Sequence, residues 1–444
     1  MLLDYSCNDW LLNLIEANYG GENRGAFSTH PTRTITNPLS PIQHLHLRPD
    51  LVPRETPLSD LNSILPFGGS TQMYSIDNID KLLDSLGLIS KGSILYGDFE
   101  ATTLTRRNRN IQVTTNRAEN YLVKQPSDPD SESAETLRAE IRFYEFLDSE
   151  KPAFHVDCAT VRHSDLENAL LVLDFYREAI PLWRYYKQRG ADRLPLRTIS
   201  EVGRLLAELH REFEQPVATR NGKIAFLSTD LPFGFKLNKP SPRVLGYIRP
   251  GGLAYLRELQ AMGDVMLRWE AAAQTWEINS VIHGDVKLDN FLVQPDSNQE
   301  DIGSDKIRIV DWELVQQGDK AWDIAGVFQD FIFWWTISMP DMATPEEMVR
   351  NAGFPITRLK PCLQTFWERY IAHGGQNTDD EAKLLSKVVT FSAIRIFQTS
   401  YEIASKFDEI PPIARILLGV AKSILEKPTE AASGLFGIEP GRNQ

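Results

Sequence analysis

The sequence predicts an α+β protein in which a small antiparallel β-sheet comes first and a mainly helical region follows. Segments rich in β-branched and aromatic residues lie between Ser93 and Lys124. From about Pro195 onward, apolar residues recur mainly at a helical period. With 42% hydrophobic and 24% charged residues among 444, the chain has the composition of a folded globular protein with a sizeable core.

The first part of the chain reads as an extension followed by a compact region. Residues 1–70 are rich in Gly, Asn, Thr and Pro, which predicts an N-terminal extension with long irregular connections. Apolar residues between Ile76 and Ile89 recur near a helical period and Gly92 follows them, so we expect a helix there.

An antiparallel sheet is expected next. Its segments are SILYGDFEATTLT, NIQVTT and NYLVKQ, and TTNRAEN forms the turn that joins the last two. Strong helix formers at a 3–4 spacing predict a helix over Ala134–Leu147, and ALLVLDF at 169–175 predicts a buried strand.

The region that follows is expected to be helical, interrupted by one strand pair. FLVQ and KIRIV form that pair, and the polar, acidic stretch at 296–306 is the solvated loop between them. We therefore predict three parts: an extension over 1–70, an N-lobe over 71–176 and a helical C-lobe over 177–444.

Composition also limits the partners and the compartment. A net charge of −13 opposes non-specific binding to nucleic acid or anionic lipid and weakly favours a cationic substrate. The cysteines form no C-x-x-C pair, which argues against a disulfide framework or a cysteine zinc site. The first ten residues carry two aspartates where a secretory signal needs positive charge. The apolar run Phe331–Ile337 is too short to span a bilayer. We expect a cytoplasmic protein and read that run as a buried helix.

One short loop carries the chemistry. The stretch VIHGDVKLDNFLV at 281–293 places His283, Asp285, Lys287 and Asn290 between two apolar segments. Asp285 can accept a proton from a substrate hydroxyl, and Asn290 can turn its amide oxygen towards a metal ion. Lys287 can neutralise a phosphoryl group in transfer.

A second motif strengthens this interpretation. In IRIVDWELVQQGDKAWDIA, Asp311 ends an apolar strand and so presents a carboxylate at the sheet end, as a magnesium ligand requires. A base and two oxygen ligands on adjacent strands are the minimum set for in-line phosphoryl transfer.

Together these motifs resemble those of the aminoglycoside phosphotransferase and choline kinase superfamily, small-molecule kinases of protein-kinase-like fold. The resemblance covers roughly residues 95–400 and rests on IHGDVKLDN, on DWE followed by Gly318, Asp319 and Asp323, and on VGRLLAELH at 202–210. It implies a two-lobed fold and a phosphotransferase that depends on ATP and Mg²⁺.

The resemblance also implies roles for single residues. Asp285 corresponds to the catalytic base, Asn290 and Asp311 to the magnesium ligands, and Asp323 to a structural carboxylate that buttresses the loop. His283 is then a structural histidine of the loop, because catalysis in the family runs through the aspartate.

The nucleotide residues follow from the same resemblance. Lys124, in the strand YLVK, matches the lysine that holds the α- and β-phosphates, and Glu140 matches its ion-pair partner, with Glu135 and Glu145 as alternatives. The adenine is expected at the hinge after ALLVLDF, from Leu173 through Phe175 to Tyr176, recognised by backbone groups.

The chain departs from protein kinases where a glycine-rich loop would precede Lys124. The equivalent stretch reads TLTRRNRNIQV, and the superfamily often lacks the glycine motif. Arg106 and Arg109 either pair with phosphate oxygens in bidentate fashion or belong to a solvated basic turn.

The acceptor is left open by the sequence. We expect its pocket in the helices after Asp323, including Trp334–Trp335 and the helix at 391–402. The family default is a small cationic or sugar-like hydroxyl compound. Ser or Thr hydroxyls of a peptide are an alternative, as in ribosomal peptide natural-product maturation, and a nucleotide-binding pseudokinase scaffold is a second alternative.

Overall fold

A computed structural model describes residues 73–95, 98–105, 108–116, 119–128, 131–191, 194–214, 222–241, 248–294, 306–340, 342, 344–374 and 378–439. The predicted extension, Arg106 and all but the last residue of the loop at 296–306 lie outside the described residues.

Ten strands are described. They are β1 (Phe99–Thr105), β2 (Arg109–Thr115), β3 (Tyr121–Gln125), β4 (Val161–Asp165), β5 (Leu170–Asp174), β6 (Ile180–Pro181), β7 (Ser280–Ile282), β8 (Phe291–Gln294), β9 (Lys306–Ile309) and β10 (Gln316–Gly318). They form a five-stranded sheet in the order β1-β2-β3-β5-β4, a three-stranded sheet β6-β8-β9 and a pair β10-β7.

The described α-helices are mostly in the second half of the chain. They are α1 (Ile79–Ser85), α2 (Lys91–Leu95), α3 (Glu132–Glu150), α4 (Leu182–Arg189), α5 (Leu196–Glu212), α6 (Phe233–Lys236), α7 (Pro250–Gln260), α8 (Gly263–Gln274), α9 (Lys320–Ile337), α10 (Pro345–Arg350), α11 (Ile356–Gly374), α12 (Thr378–Ala404), α13 (Pro412–Glu426) and α14 (Pro428–Gly434).

The described chain divides into two compact units. One holds the described residues up to Leu137 together with Arg162–Phe175, and the other holds Arg138–Val161 and the described residues from Tyr176 onward. We call them the sheet unit and the helical unit. The α+β class, with a small antiparallel sheet and a mainly helical remainder, is confirmed. The division at 70 and 176 stays a prediction.

The sheet unit has its own core. Strand pairs β1–β2, β2–β3 and β3–β5 are antiparallel. Burial alternates along β2, where Ile111 and Val113 point inward, and these side chains pack with Leu83 of α1 and Val172 of β5. The helix predicted from the periodicity at 76–89 is therefore present as α1, although α1 is shorter than expected.

In the helical unit, α12 packs against α9 and α13. Asp319 caps the N-terminus of helix α9, since its side chain accepts a hydrogen bond from the backbone N–H of Ala321, and most of the helix is buried. The apolar run Phe331–Ile337 lies in this helix, as predicted, with Phe333 and Trp334 half-buried. Among the described helices, none has both the length and the apolar character that a bilayer crossing needs.

Three expectations on secondary structure were wrong. Residues 93–95 are helical, because Ser90 accepts a hydrogen bond from the backbone N–H of Ser93 at 3.2 Å and caps α2. Strand β4 was missed because its sequence, VRHSD, has too few apolar residues to signal a strand. The helical region contains the pair β7–β10 as well as β8–β9, and three-residue strands are too short to give a recognisable period.

Candidate active site

The predicted catalytic loop runs from the end of β7 to the start of β8 in the helical unit. Its turn depends on Gly284, which has a φ of +82°. A Cβ at this position would overlap the carbonyl oxygen of Leu314. Backbone conformation and space therefore both require glycine in the sequence HGD.

Side chains from α9 satisfy the backbone N–H groups of this loop. Asp323 accepts hydrogen bonds from the N–H of His283 at 2.7 Å and of Gly284 at 3.0 Å. Asp330 accepts from the N–H of Leu288 at 2.6 Å. Such groups have no partner in regular secondary structure, so buried carboxylates supply what a helix or sheet would otherwise provide.

The two carboxyl groups have different electrostatics. Burial raises the pKa of Asp323, but hydrogen bonds and charge from His210, at 3.2 Å, and from His283 outweigh it, so the pKa is lowered. Burial raises the pKa of Asp330 to about 7 against the opposing effect of the Leu288 N–H. Asp323 is therefore held as an anion, which fits its expected role as the buttress of the loop.

Asp285 lies within a small network of polar groups. Its carboxylate oxygen Oδ2 is 2.5 Å from Nζ of Lys287. The amide nitrogen of Asn290 donates to the Asp285 carbonyl at 2.9 Å and to Oδ2 at 3.3 Å. A turn of 3₁₀-helix over Leu288–Asn290 brings Asn290 back to Asp285. Burial lowers the pKa of Lys287, but Asp285 outweighs this and raises it, so the lysine stays cationic.

His283 is held by backbone groups on both ring nitrogens. Nε2 is 2.9 Å from the carbonyl oxygen of Val310, and Nδ1 is 3.3 Å from the backbone N of Asp285. Because a carbonyl only accepts and an N–H only donates, Nε2 carries the proton and Nδ1 accepts. The ring packs on Trp312, as a structural histidine would.

Asp311 lies just beyond β9, in a left-handed conformation with a φ of +70°. The preceding residue, Val310, donates its N–H to the Asn290 carbonyl at 3.0 Å, and Phe291 pairs with Ile309. Asn290 and Asp311 therefore lie at the same end of the β8–β9 pair. Non-glycine residues at positive φ are uncommon and cluster at functional sites.

These two residues fit a magnesium ion. The amide nitrogen of Asn290 is engaged by Asp285, which leaves the amide oxygen for a ligand, and Asp311 supplies a carboxylate. Within the described ranges there is no group of three or more His, Cys, Asp or Glu side chains that could hold a metal. Mg²⁺ is commonly held by only one or two protein carboxylates together with water and substrate phosphate, so this donor set suits it.

A cavity of about 220 Å³ adjoins Asp285. Asp285, Lys287 and Asp289 line it from the loop, and the rest of its wall comes from α9, from α12 and from Lys406 just beyond the end of α12. These residues are Gln329, Asp330, Phe333, Arg395, Gln398, Thr399, Glu402, Ile403 and Lys406. The expected acceptor region near the helix at 391–402 therefore borders the predicted base.

An aromatic pair supports the rim of this pocket. The indole N–H of Trp183 donates to Oδ1 of Asp289 at 2.7 Å, and its ring stacks on Trp334 with centroids 4.8 Å apart. Trp335, the other half of the expected pair, is buried and lines a separate cavity with Arg350.

The predicted nucleotide residues are spread over both units. In the sheet unit Lys124 is buried on β3 opposite Asn110, Leu173 is buried opposite Leu122, and exposed Arg109 starts β2. Phe175, just after β5, donates its N–H to the Asn120 carbonyl at 2.8 Å. Glu140 is fully buried on α3, in the helical unit. Its pairing with Lys124, and the nucleotide roles of these residues, stay predictions.

Sequence reasoning missed two residues that contact the loop. Arg395 donates to the Val286 carbonyl at 2.9 Å, and Asp330 accepts from Leu288. Both are charged residues within apolar helical stretches, AIRIF and FQDFIF. An ionisable residue within an apolar helical stretch could have indicated such a contact, because a buried ionisable group needs a specific partner.

The loop and its surroundings define a class of protein. Lys287 and the amide of Asn290 both bond Asp285, and Asp311 lies at the end of the neighbouring strand. A polar pocket opens beside Asp285. This is the arrangement of a phosphotransferase. The sequence matches the model of the phosphotransferase enzyme family over residues 101–358, more than half of the chain, and the protein belongs to that family. The resemblance and the prediction of a phosphoryl-transferring enzyme are thereby confirmed.

Solved structures similar to this one include a choline kinase from Cryptosporidium parvum, with 13% identity, coverage of 82% of this chain and 98% of that chain, and a TM-score of 0.48. A choline kinase from Streptococcus pneumoniae has 15% identity, coverage of 79% and 98%, and a TM-score of 0.43. A macrolide 2'-phosphotransferase from Brachybacterium faecium has 15% identity, coverage of 79% and 98%, and a TM-score of 0.40. No curated protein matches the chain by sequence. At these identities, the acceptors of those enzymes do not transfer to this one.

Proposed function

We propose that the protein transfers the γ-phosphoryl group of ATP to a hydroxyl of a small-molecule acceptor, in the manner of aminoglycoside and choline kinases. The main support for this proposal is the position of Asp285, which belongs to the Lys287–Asn290 network and also lines the 220 Å³ cavity. A hydroxyl bound in that cavity lies within reach of the base.

Each residue then has a defined task. Asp285 orients the acceptor hydroxyl and takes up its proton. Lys287, kept cationic by Asp285, offsets charge on the transferring group. Asn290 and Asp311 would hold Mg²⁺, which when bound neutralises phosphate oxygens.

The sheet unit contributes the remaining nucleotide contacts in this proposal. Lys124 binds the α- and β-phosphates and pairs with Glu140. Arg106 and Arg109 contact phosphate oxygens, and backbone groups from Leu173 to Phe175 bind the adenine. The buried position of Lys124 supports this role, because a buried ammonium group needs anionic partners.

The cavity favours a small polar acceptor. Asp289, Asp330 and Glu402 bring carboxyl groups to its wall. A compound that carries amino or several hydroxyl groups can donate further hydrogen bonds to them, whereas an apolar acceptor would displace water from them without compensation. The alternative, phosphorylation of Ser or Thr hydroxyls in a peptide, is one possible outcome of the second test below. We place the enzyme in the cytoplasm, in keeping with the free thiols of Cys158 and Cys362.

The first test measures nucleotide binding without an acceptor. The melting temperature is recorded with ATP, with Mg²⁺ and with both, for wild type, Asp311→Asn and the exposed control Asp408→Asn. We expect ATP and Mg²⁺ together to raise it in wild type and control but not in Asp311→Asn, since a ligand at about 100 times its Kd stabilises by about 2.7 kcal/mol.

The second test offers amino alcohols, aminoglycosides, sugars and Ser/Thr peptides with radiolabelled ATP. Label in a small molecule supports the proposal, and label only in peptides supports the peptide alternative. Nucleotide binding without transfer to any acceptor or to water supports the pseudokinase alternative, and a wild type that binds no nucleotide contradicts all three.

A further inference from the structure

Arg395 is a buried cation behind the catalytic loop. It lies in α12 and is 7% exposed. Nη2 donates to the Val286 carbonyl at 2.9 Å, and Nη1 lies 3.4 Å from the Gly284 carbonyl. These carbonyls belong to the residues on either side of Asp285. One guanidinium therefore holds the loop both before and after the predicted base.

The surroundings of Arg395 are shaped for this contact. The guanidinium lies over the ring of Trp322, 4.8 Å from the centroid, and the indole N–H of Trp322 donates to the same Gly284 carbonyl at 3.1 Å. At Gly326 of α9, a Cβ would overlap the Val286 carbonyl and press on the guanidinium carbon of Arg395. Glycine at this position leaves the room in which the arginine reaches the loop.

The guanidinium of Arg395 forms no direct ion pair with a carboxylate among the described residues. In the part of the chain that the structure describes, the hydrogen bonds of its guanidinium go to carbonyl oxygens, and Nε has no partner. The carboxylates of Asp285, Asp323 and Asp330 act on it from longer range. Arg204, by contrast, bonds the carboxylates of Asp157 and Glu208 directly.

We infer that Arg395 is a positioning residue for phosphoryl transfer, which fixes the backbone on both sides of Asp285 so that its carboxylate faces the acceptor. The carbonyl of Asp285 itself is held by Asn290. With Arg395 in place, three consecutive carbonyls of the loop have side-chain donors. This inference rests on the proposed function, because it assigns Asp285 the role of base.

The test compares Arg395→Met, Arg395→Lys and Arg395→Ala with the control Arg204→Met, which removes an arginine whose side chain bonds Asp157, Glu201 and Glu208 and no atom of the loop in the described structure. The readout is phosphate release from ATP with water as acceptor. We expect kcat of Arg395→Met to fall about 10²-fold, as for a displacement of about 1 Å, while KM for ATP stays within about twofold. Arg395→Lys should retain more activity, and guanidinium chloride at low millimolar concentration should partly restore Arg395→Ala.

A merely structural role gives a different pattern. In that case Arg395→Met would lose no more kcat than an equally destabilised Arg204→Met, and neither lysine nor guanidinium would rescue activity. That result overturns the inference.

A measurement that needs no turnover separates this inference from the proposed function. Hydrogen exchange of the amides at 283–288 should become faster in Arg395→Met and stay unchanged in Arg204→Met. If wild type transfers phosphate neither to any acceptor nor to water, the proposed function fails, and the exchange result alone decides whether Arg395 holds the loop. Unchanged exchange in Arg395→Met overturns the inference.

Discussion

Asp323 and Asp330 lie seven residues apart on α9, and each accepts backbone N–H groups from the same loop. A separation of seven places both on one face of a helix, two turns apart. The first binds the start of the loop and the second binds its far side. One helix therefore sets the position of the segment that carries Asp285.

Substitution of Asp285 by Asn tests the base directly. Asparagine keeps the shape of the side chain but cannot accept the acceptor proton, so we expect the transfer rate to fall about 10²- to 10⁴-fold. The shift in melting temperature caused by ATP and Mg²⁺ should persist. Loss of both would instead indicate that Asp285 is needed for nucleotide binding.

Gly284→Ala should be far more damaging than another substitution at positive φ. Gly87 has a φ of +68° with open space around it, so Gly87→Ala should lower the free energy of unfolding by only about 1 kcal/mol. Gly284→Ala adds a steric clash with Leu314, and we expect a loss of about 3 kcal/mol or more. Urea unfolding of the two variants measures the difference, and equal losses would contradict the geometry of the turn.

Asp330→Asn should change how stability depends on pH. Because the pKa of Asp330 in the folded protein is raised to about 7, its neutral form favours folding. This contribution is complete below the unfolded value of 3.8 and is lost, at up to about 1.4 kcal/mol per pH unit, as the pH rises through about 7. Relative to wild type, Asp330→Asn should gain stability as the pH rises from about 4 to about 7, and the difference should be constant above that. A pH-independent difference in urea unfolding would contradict it.

Asp323→Asn should show the opposite dependence. The pKa of Asp323 is lowered, so its anion stabilises the fold above 3.8, and this stability is lost as the pH falls through the folded value. At neutral pH, Asp323→Asn should be about 2 kcal/mol less stable than wild type, since a charged hydrogen-bond acceptor is lost. The deficit should shrink below about pH 3, as measured by urea unfolding.

The parts of this molecule that could be predicted are those with a local signal. The run in α9 and the motif around Asp285 are contiguous in sequence, and their pattern alone indicated a buried helix and a polar loop. Asp311 could be placed at a strand end because it follows an apolar stretch, and its role as a metal ligand stays a prediction. Its positive φ was not foreseen, since nothing in DWE distinguishes it from an ordinary strand end.

The residues that sequence reasoning missed act over long separations. Arg395 contacts carbonyls more than a hundred positions away, and Trp183 reaches Asp289 across a similar distance. Local periodicity carries no information on such pairs. The helical turn at Ser93 was missed because a single capping hydroxyl outweighed the β propensity of the residues after it.

The close approach of α9 to the loop constrains how the acceptor range could be engineered. Gly326, Asp323 and Asp330 all contact the loop, so substitutions at these positions of α9 would also move Asp285. Gln398, Glu402 and Lys406 line the cavity from α12 and just beyond its end, and they bond no atom of the loop in the described structure. Libraries aimed at new acceptors should therefore vary these three positions and keep the α9 side as it is.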